Sequence, residues 1–565
     1  MANLIEKAKR EIDELLQAAY ARAAERGELP AGAAVTGGVD IPRDTANGDY
    51  AANHAMSSAR ALRLPPRKIA EALAANLILD DSLFNRAEVA GPGFLNFRLS
   101  DRWYGEVLAA VEREGAAYGS AETRTGERVM VEFVSANPTG PMTIGNARGG
   151  VLGDALATVL DRSGCDVWRE FYVNDAGNQV ELFGKSMEAR YIQLIQGEEA
   201  VEFPENGYHG DDIRALALTL YERDGDKYLS MPSEERCCAF IEFGLKHNIA
   251  LMGEHLARYR IRFDQWFLES DLHESSYVAE TVAILEKGGH TYEQDGALWL
   301  RNTALGADKD EVLRRQNGFY TYYAVDIAYH RNKFVERGFG RVIDVWGADH
   351  HGHAIRFAAS MKAPELGLQD KKLDFLIMQM VRLTRGDEVV KVSKRTGKAL
   401  TLADLMDEIG VDACRFFFNA KPDTHLEFDL DLAVRQDAEN PVYYVQYAHA
   451  RICSLLELLA GEGCPVPPVS QIDVSLLETE QERDVIKQLS LLPEEIRLAA
   501  RDYDPSRLNR YVIELAARFH RFYNACHIRD AEPGLKNARL ALSAAVRTVI
   551  AVCLDIIGVA APERM

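Results

Sequence analysis

The chain has 565 residues, 47% of them hydrophobic and 27% charged, with a formal net charge of −21. That length exceeds one hydrophobic core and predicts roughly 3–4 domains. The acidic balance argues against a general nucleic-acid coat protein, which binds by neutralising phosphates, yet leaves room for a local basic surface. Eight scattered cysteines without a CxxC pair argue against a zinc ribbon or a disulfide framework and fit a reducing cytosol. The N-terminus reads as an amphipathic helix rather than a signal peptide. No apolar run approaches the ~18 residues of a membrane span. The expectation is a soluble, cytoplasmic, multidomain protein.

Taken in chain order, residues 1 to about 120 form a separate module. A helix from Ile5 to about Glu25 leads to the turn-rich segment IPRDTANGDYAANHAM, and a second helix follows around Arg67 to Leu79. In VAGPGFLNFRLS, Phe94, Asn96 and Arg98 alternate with Leu95, Phe97 and Leu99, as in a strand buried on one face. A helix from about Asp101 to Glu114 and the polar linker SAETRTGER close the module. From Arg128 the pattern turns α/β, with strands expected at Val129–Val134, Cys165–Tyr172 and Arg341–Trp346. The alternation predicts a parallel sheet that binds ligands at the strand C-termini. Residues 186 to about 300 read as a mostly helical insertion. After about Asp431, helical periodicity runs through Val442–Leu459, Glu480–Asp502, Arg507–Ala525 and Leu535–Gly558. Within this helical third, residues 497–540 carry nine Lys/Arg against five acids, interleaved with Tyr503, Tyr511, Phe519, Phe522 and Tyr523. Such a stretch fits RNA contact; on these residues alone a solvated face over an aromatic core fits it somewhat better.

The most informative segment is VMVEFVSANPTGPMTIGNARGGVLGDALATVL, Val129 to Leu160. It reads as a strand, a Pro/Gly-broken loop and a helix that opens on small residues. Free N–H groups and the positive end of the helix dipole converge at such a junction, so an anion has a place to sit. Gly145 lets the backbone approach a ligand, and Thr143 and Asn146 can donate to phosphate or ribose oxygens. Far downstream, in VVKVSKRTGKALTL, Lys391 and Lys394 straddle Ser393. Two ammonium groups there can neutralise charge as pyrophosphate leaves.

TIGN resembles the HIGH motif, and KVSK the KMSK motif, of class I aminoacyl-tRNA synthetases; the member family it resembles is the arginyl-tRNA synthetases. SANPTGP, FYVNDAGNQ, GADHHGH, VDACRFFF, NPVYYVQYAHARI and GVAAPERM are similar to that family's segments, and NGDYAANHAM and VAGPGFLNFRL to its N-terminal domain. The resemblance implies a multidomain α/β architecture. A small N-terminal α+β domain (1–120) binds tRNA, a Rossmann-like parallel-sheet catalytic domain (121–430) carries the helical insertion, and an all-α anticodon-binding bundle spans 431–565. It implies a ligase that joins L-arginine to tRNA(Arg) through arginyl-adenylate, releasing pyrophosphate and AMP, and activates arginine only with tRNA bound.

The resemblance assigns ATP, with Mg2+, to Pro138, Thr143, Gly145, Asn146, Arg148, Lys391, Ser393 and Lys394. The arginine side chain, whose planar cation wants carboxylates and a fork of acceptors, falls to Glu269, Tyr322 and Asp326; the last two, four apart, share a helical face. Glu132, Ser135, Asn137 and His350 take the amino and carboxylate end. Tyr443, Tyr447 and Arg451 are the candidates for unstacked tRNA bases. Neither a metal site at His350, His351 and His353 nor a structural zinc is expected, and the protein is expected to be a monomer that binds neither membrane nor DNA. Thr143 and Asn146 replace the two HIGH histidines and Val392 the KMSK methionine. Arg148, one turn into the helix, is the expected substitute for the lost imidazole charge. Two other classes remain open on the residues: an inactive synthetase-like RNA-binding protein, and a nucleotidyltransferase that works without tRNA.

Overall fold

The computed structural model describes residues 3–121, 125–386, 388–390, 400–420 and 422–565. The N-terminal helix, Leu4–Glu25, is capped by the Asn3 side chain and buries Leu4, Ile5, Ala8, Ile12, Leu16, Ala19 and Ala23, a stripe at helical spacing. It lies with an antiparallel sheet of β1 (Val39–Asp40), β2 (Tyr50–Ala52), β3 (Phe84–Ala90) and β4 (Phe94–Leu99), in the order β1-β2-β4-β3. Leu95, Phe97 and Leu99 point into the core, as the alternation requires. The Asp101–Glu114 helix and the Leu4–Glu25 helix pack on the C-terminal bundle, where Arg483 meets Asp101 at 3.0 Å and Lys487 meets Asp49 at 2.5 Å.

The central sheet starts at β5 (Arg128–Glu132), β6 (Asp166–Val173) and β7 (Gln265–Leu268). Three helices, Asn178–Gln196, Asp211–Asp224 and Ser233–Arg258, separate β6 from β7 and bury their own apolar cluster around Phe183, Tyr191 and Phe240. The small antiparallel sheet β8 (Thr291–Gln294), β9 (Ala297–Leu300) and β10 (Glu311–Arg314) follows. Strands β7, β8 and β9 thus fall inside the stretch that reads as helical; four-residue strands are too short to show a period. β11 (Arg341–Gly347) and β12 (Lys372–Met378) complete the five-stranded sheet, order β12-β11-β5-β6-β7, with every pair parallel. A third small sheet joins β13 (Val381–Arg385), β14 (Glu388–Val389) and β15 (Leu426–Asp429).

The helix Ile144–Arg162 crosses one face of the central sheet. At Gly153 a Cβ would stand 2.2 Å from Phe133 Cγ, so glycine is what lets helix and chain approach. The bundle helices Pro441–Gly461, Glu480–Asp502, Ser506–Ala525 and Pro533–Ile556 pack on one another, and two of them rest on the Ile144–Arg162 helix. Arg415 pins this joint. Fully buried, it donates to Ile557 O at 2.9 Å, Tyr259 O at 2.8 Å and Asp154 Oδ2 at 2.6 Å. Gly558 has φ +67°, and a Cβ there would fall 2.2 Å from the guanidinium carbon.

In the basic stretch 497–540 the positive charge is balanced locally by carboxylates. All eight of its arginines are ion-paired, for example Arg497 with Glu494 at 2.6 Å, Arg507 with Glu495 at 2.8 Å and buried Arg539 with Glu482 at 2.7 Å. Tyr511, Phe519 and Phe522 are core. Several of the balancing carboxylates come from outside the stretch, which counting charge along it could not register.

Candidate active site

The strand β5 ends in a sharp departure from extended geometry. Val134 and Ser135 have φ values of +69° and +38°, strained for residues with a Cβ and unusual for a β-branched one. The strain is held by specific bonds: Ser135 Oγ donates to Glu132 Oε1 at 2.9 Å and accepts from the Tyr172 amide at 3.2 Å. The loop that follows runs to Thr143, which caps the Ile144–Arg162 helix. Thr143 N and Oγ1 donate to Asn146 Oδ1 at 2.9 and 2.8 Å, and Asn146 N returns a bond to Thr143 Oγ1 at 3.4 Å. This capping box leaves the helix start facing a cleft of about 740 Å³.

Ser135, Asn137, Thr143, Asn146, Tyr322 and His350 all line that cleft. Asn137 Nδ2 donates to Gln179 Oε1 at 2.8 Å. Asp326, one turn along the same helix from Tyr322, stands outside that lining and accepts from His353 Nε2 at 3.2 Å. Glu269, 3% exposed, sits at the end of β7 and accepts from Tyr172 Oη at 2.9 Å. Burial raises its carboxyl above the ordinary value, although Tyr172 and His273 pull the other way. Gly145 is exposed at the helix start; a Cβ there would meet only Thr143 Oγ1, at an ordinary 3.6 Å. Lys391, Ser393 and Lys394 lie outside the described residues. Just beyond them, Thr401 bridges to Thr143 and the Leu402 amide donates to Met142 O at 3.0 Å. The chain therefore returns from the KVSK segment against the TIGN loop.

Three expected residues stand elsewhere. Arg148 does not reach the cleft: fully buried, it donates to Gln379 O at 2.6 Å and Thr424 O at 3.2 Å, fastening the chain that enters β13 and β15. It therefore cannot replace the lost HIGH imidazole. Pro138 is buried, with its carbonyl taken by Asn248 Nδ2 at 2.7 Å. Glu132 lies under the cleft floor rather than in its lining. Its Oε2 accepts from Lys333 Nζ at 2.5 Å, and the same ammonium donates to Asp344 Oδ1 at 3.0 Å. Glu132 and Asp344 face each other in register on β5 and β11. His330 completes the group, with Nε2 2.7 Å from Asp344 Oδ2.

Glu132, His330 and Asp344 offer atoms within 4.8 Å of one another, a spacing open to a metal. Lys333 already supplies the cation, its Nζ lying between both carboxylates. Burial would lower Lys333, but Asp344 and Glu132 outweigh it and hold the ammonium above the ordinary lysine value. Burial likewise raises Asp344, yet Lys333 and His330 win and bring it to about 2. For Glu132, burial wins and the carboxyl is raised. Lys333 was legible only as part of a polar series, Tyr322, Asp326, His330, Lys333, recurring on one helical face. Tyr208, His209 and Asp212, which reach the cleft from the helical segment after β6, carry no comparable signal.

A parallel sheet whose strand ends present a capped helix start beside a buried acid pocket is the catalytic fold of the class I tRNA synthetases. The profile described as "tRNA synthetases class I (R), catalytic domain" matches residues 107–426. "Arginyl tRNA synthetase N terminal domain" matches residues 7–99 and "DALR anticodon binding domain" residues 445–565. Arginine–tRNA ligases of Acetivibrio thermocellus and Caldanaerobacter subterraneus are 49% and 50% identical over the full length of both chains. The Thermus thermophilus arginyl-tRNA synthetase shares the fold, with a TM-score of 0.71 at 24% identity over 99% of this chain and 100% of that one. The chain belongs to the arginyl-tRNA synthetase family.

Proposed function

We propose that the cleft performs the two-step charging of tRNA(Arg) with L-arginine. The chain is an arginine–tRNA ligase with ATP as its substrate. In the first step an arginine carboxylate oxygen attacks the ATP α-phosphorus, the bond to pyrophosphate breaks, and arginyl-adenylate forms. In the second, a ribose hydroxyl at the tRNA 3′ end attacks the activated carbonyl and AMP leaves. Neither step needs a covalent enzyme intermediate, so positioning and electrostatics supply the rate.

The reading is carried by one juxtaposition: a helix start suited to phosphate, at Thr143, opens on the same cleft as Tyr322, whose helix bears Asp326 one turn further on. Asp326 and Glu269 offer the carboxylates a guanidinium requires, and Tyr322 an acceptor near them. Ser135, Asn137 and His350 take the α-amino and carboxylate end, Thr143, Gly145 and Asn146 the nucleotide, and Lys391, Ser393 and Lys394 the departing pyrophosphate. Mg2+ accompanies the nucleotide as a counter-ion of its phosphates, for which oxygen ligands and water suffice; structural zinc has no part in this reading. Residues 1–120 meet the tRNA elbow and 431–565 the anticodon region, around the catalytic unit 121–430. Tyr443 stacks on Tyr447 at 6.1 Å between centroids, and Tyr447 on His520 at 6.2 Å, while Arg451 lies 4.0 Å over Tyr523. Half-exposed Tyr447 presents this stack to a base. The protein works as a cytoplasmic monomer and does not bind DNA. No helix among the described residues is long and apolar enough to cross a membrane.

Radiolabelled arginine transferred to tRNA(Arg) by the purified chain tests the reading; no transfer rejects it. Arginine-dependent ATP–pyrophosphate exchange is expected only when tRNA is present. Charging should cease when residues after Asp431 are removed.

A further inference from the structure

The helix Tyr322–Arg331 carries two of the three residues assigned to the guanidinium, Tyr322 and Asp326, and continues into a π-helical turn, Asn332–Glu336. A π turn takes in one residue more than an α turn, and such turns gather at functional sites. Here it brings Lys333, with no solvent exposure, beneath the other end of the amino-acid subsite. Its ammonium grips Glu132, whose remaining oxygen holds Ser135 at the strained start of the loop that carries Asn137. It also grips Asp344, directly across from Glu132 on the neighbouring strand. His330 reinforces the tie: Nδ1 lies 2.8 Å from Asp326 O and Nε2 2.7 Å from Asp344.

We propose that Lys333 is a positioning residue that sets the length of the amino-acid subsite, by tying the helix that reads the guanidinium to the loop that reads the α-amino and carboxylate end. The inference rests on the arginine-charging reading above. The subsite ends stand on separate elements, a loop after β5 and a helix before β11, and their separation must match a side chain of fixed length. A point cation clamped between two carboxylates of the sheet holds that separation. Losing it leaves two facing carboxylates with no ammonium between them, and like charges so close repel; losing the Asp344 charge instead leaves the ammonium held by Glu132 alone, with the π turn no longer fixed to β11 by an ion pair. The floor then relaxes by whatever distance lowers the repulsion, and the match to arginine's length is lost before the nucleotide site is touched. An apolar pocket distinguishes one methylene by only about 10–200-fold, so a specificity for side-chain length needs rigid ends.

The test is steady-state charging of tRNA by the full chain with arginine, with homoarginine (one methylene longer) and with 2-amino-4-guanidinobutanoate (one methylene shorter). Wild type, Lys333→Met and Asp344→Asn are compared. In both variants the kcat/KM preference for arginine over the two homologues is expected to fall by about tenfold, through a raised KM for arginine, with the KM for ATP within about twofold of wild type. A preference that stays at the wild-type ratio while kcat falls for all three amino acids would mean that Lys333 only supports the fold, and overturns the inference. An equal rise in the ATP KM does the same. If Lys333→Met does not fold by circular dichroism, Asp344→Asn, which keeps shape and removes only charge, decides alone. A wild-type chain that fails to charge arginine removes the functional reading and this inference with it; a charging wild type with an unmoved ratio in the variants removes this inference only.

Discussion

Two fully buried cations, Lys333 and Arg415, are handled in opposite ways. Arg415 spreads its fork over the carbonyls of Ile557 and Tyr259 and one carboxylate, Asp154. A planar, permanently charged group with fixed donors is well suited to closing a joint between the bundle and the Ile144–Arg162 helix. Lys333 meets side chains instead: two carboxylates and a histidine, one of which reaches the cleft through Ser135. The first arrangement fastens modules, while the second leaves titratable groups under a working surface. Burial alone therefore does not tell a structural ion pair from one that shapes a site; the identity of the partners does.

The largest effect is expected at the joint that Arg415 closes. Arg415→Ala leaves Asp154 without its closest cation and two carbonyls without a donor, and is expected to cost about 3–5 kcal/mol. Denaturant unfolding measures it, and a loss below about 1 kcal/mol would remove the fastening role. Gly558→Ala should act in the same direction, because its Cβ would overlap the guanidinium. On the cleft side the effect should appear in binding rather than folding. Asp326→Asn is expected to reduce kcat/KM for arginine by about 1.5–3 kcal/mol, some 10–150-fold, with the melting temperature nearly unchanged. An ATP KM that moved as far as the arginine KM would contradict the assignment.

Acid sharpens the contrast. Asp344 is held at about 2 in the fold, against an ordinary 3.8. A depressed carboxyl contributes stability that is complete above its unfolded value and is lost as pH falls through the folded one. About 2 kcal/mol should therefore disappear between about pH 3.8 and 2. Glu132, raised by burial, acts in the opposite sense: its contribution is present below 4.5 and is lost as pH rises through the raised value. Stability against pH for wild type and Asp344→Asn checks this, and the low-pH fall should be absent in the variant. The smallest effect belongs to the surface. Tyr447→Ala should weaken tRNA binding by about 1 kcal/mol, roughly fivefold, and change stability by less than about 0.5 kcal/mol; a filter-binding series reports the first and melting the second.

Much of the local structure could be read directly from the residues. The stripe from Leu4 to Ala23 and the alternation from Phe94 to Leu99 are periodic signals, set by which side chains can leave water together. Thr143 three residues before Asn146 has the spacing of a helix start, and Tyr322 four before Asp326 that of one helical face. What the chain order could not supply were partners far apart along it. Lys333 bonds Glu132 across 201 residues and Arg415 bonds Asp154 across 261, and short strands such as β7 exist because neighbouring strands complete their hydrogen bonds. Arg148, placed near the ligand by its spacing, was turned inward by two carbonyls that only the folded chain brings to it. Periodicity is a property of neighbours and survives in the sequence, whereas the environment of a charge is a property of the assembled interior and forms only when distant segments meet.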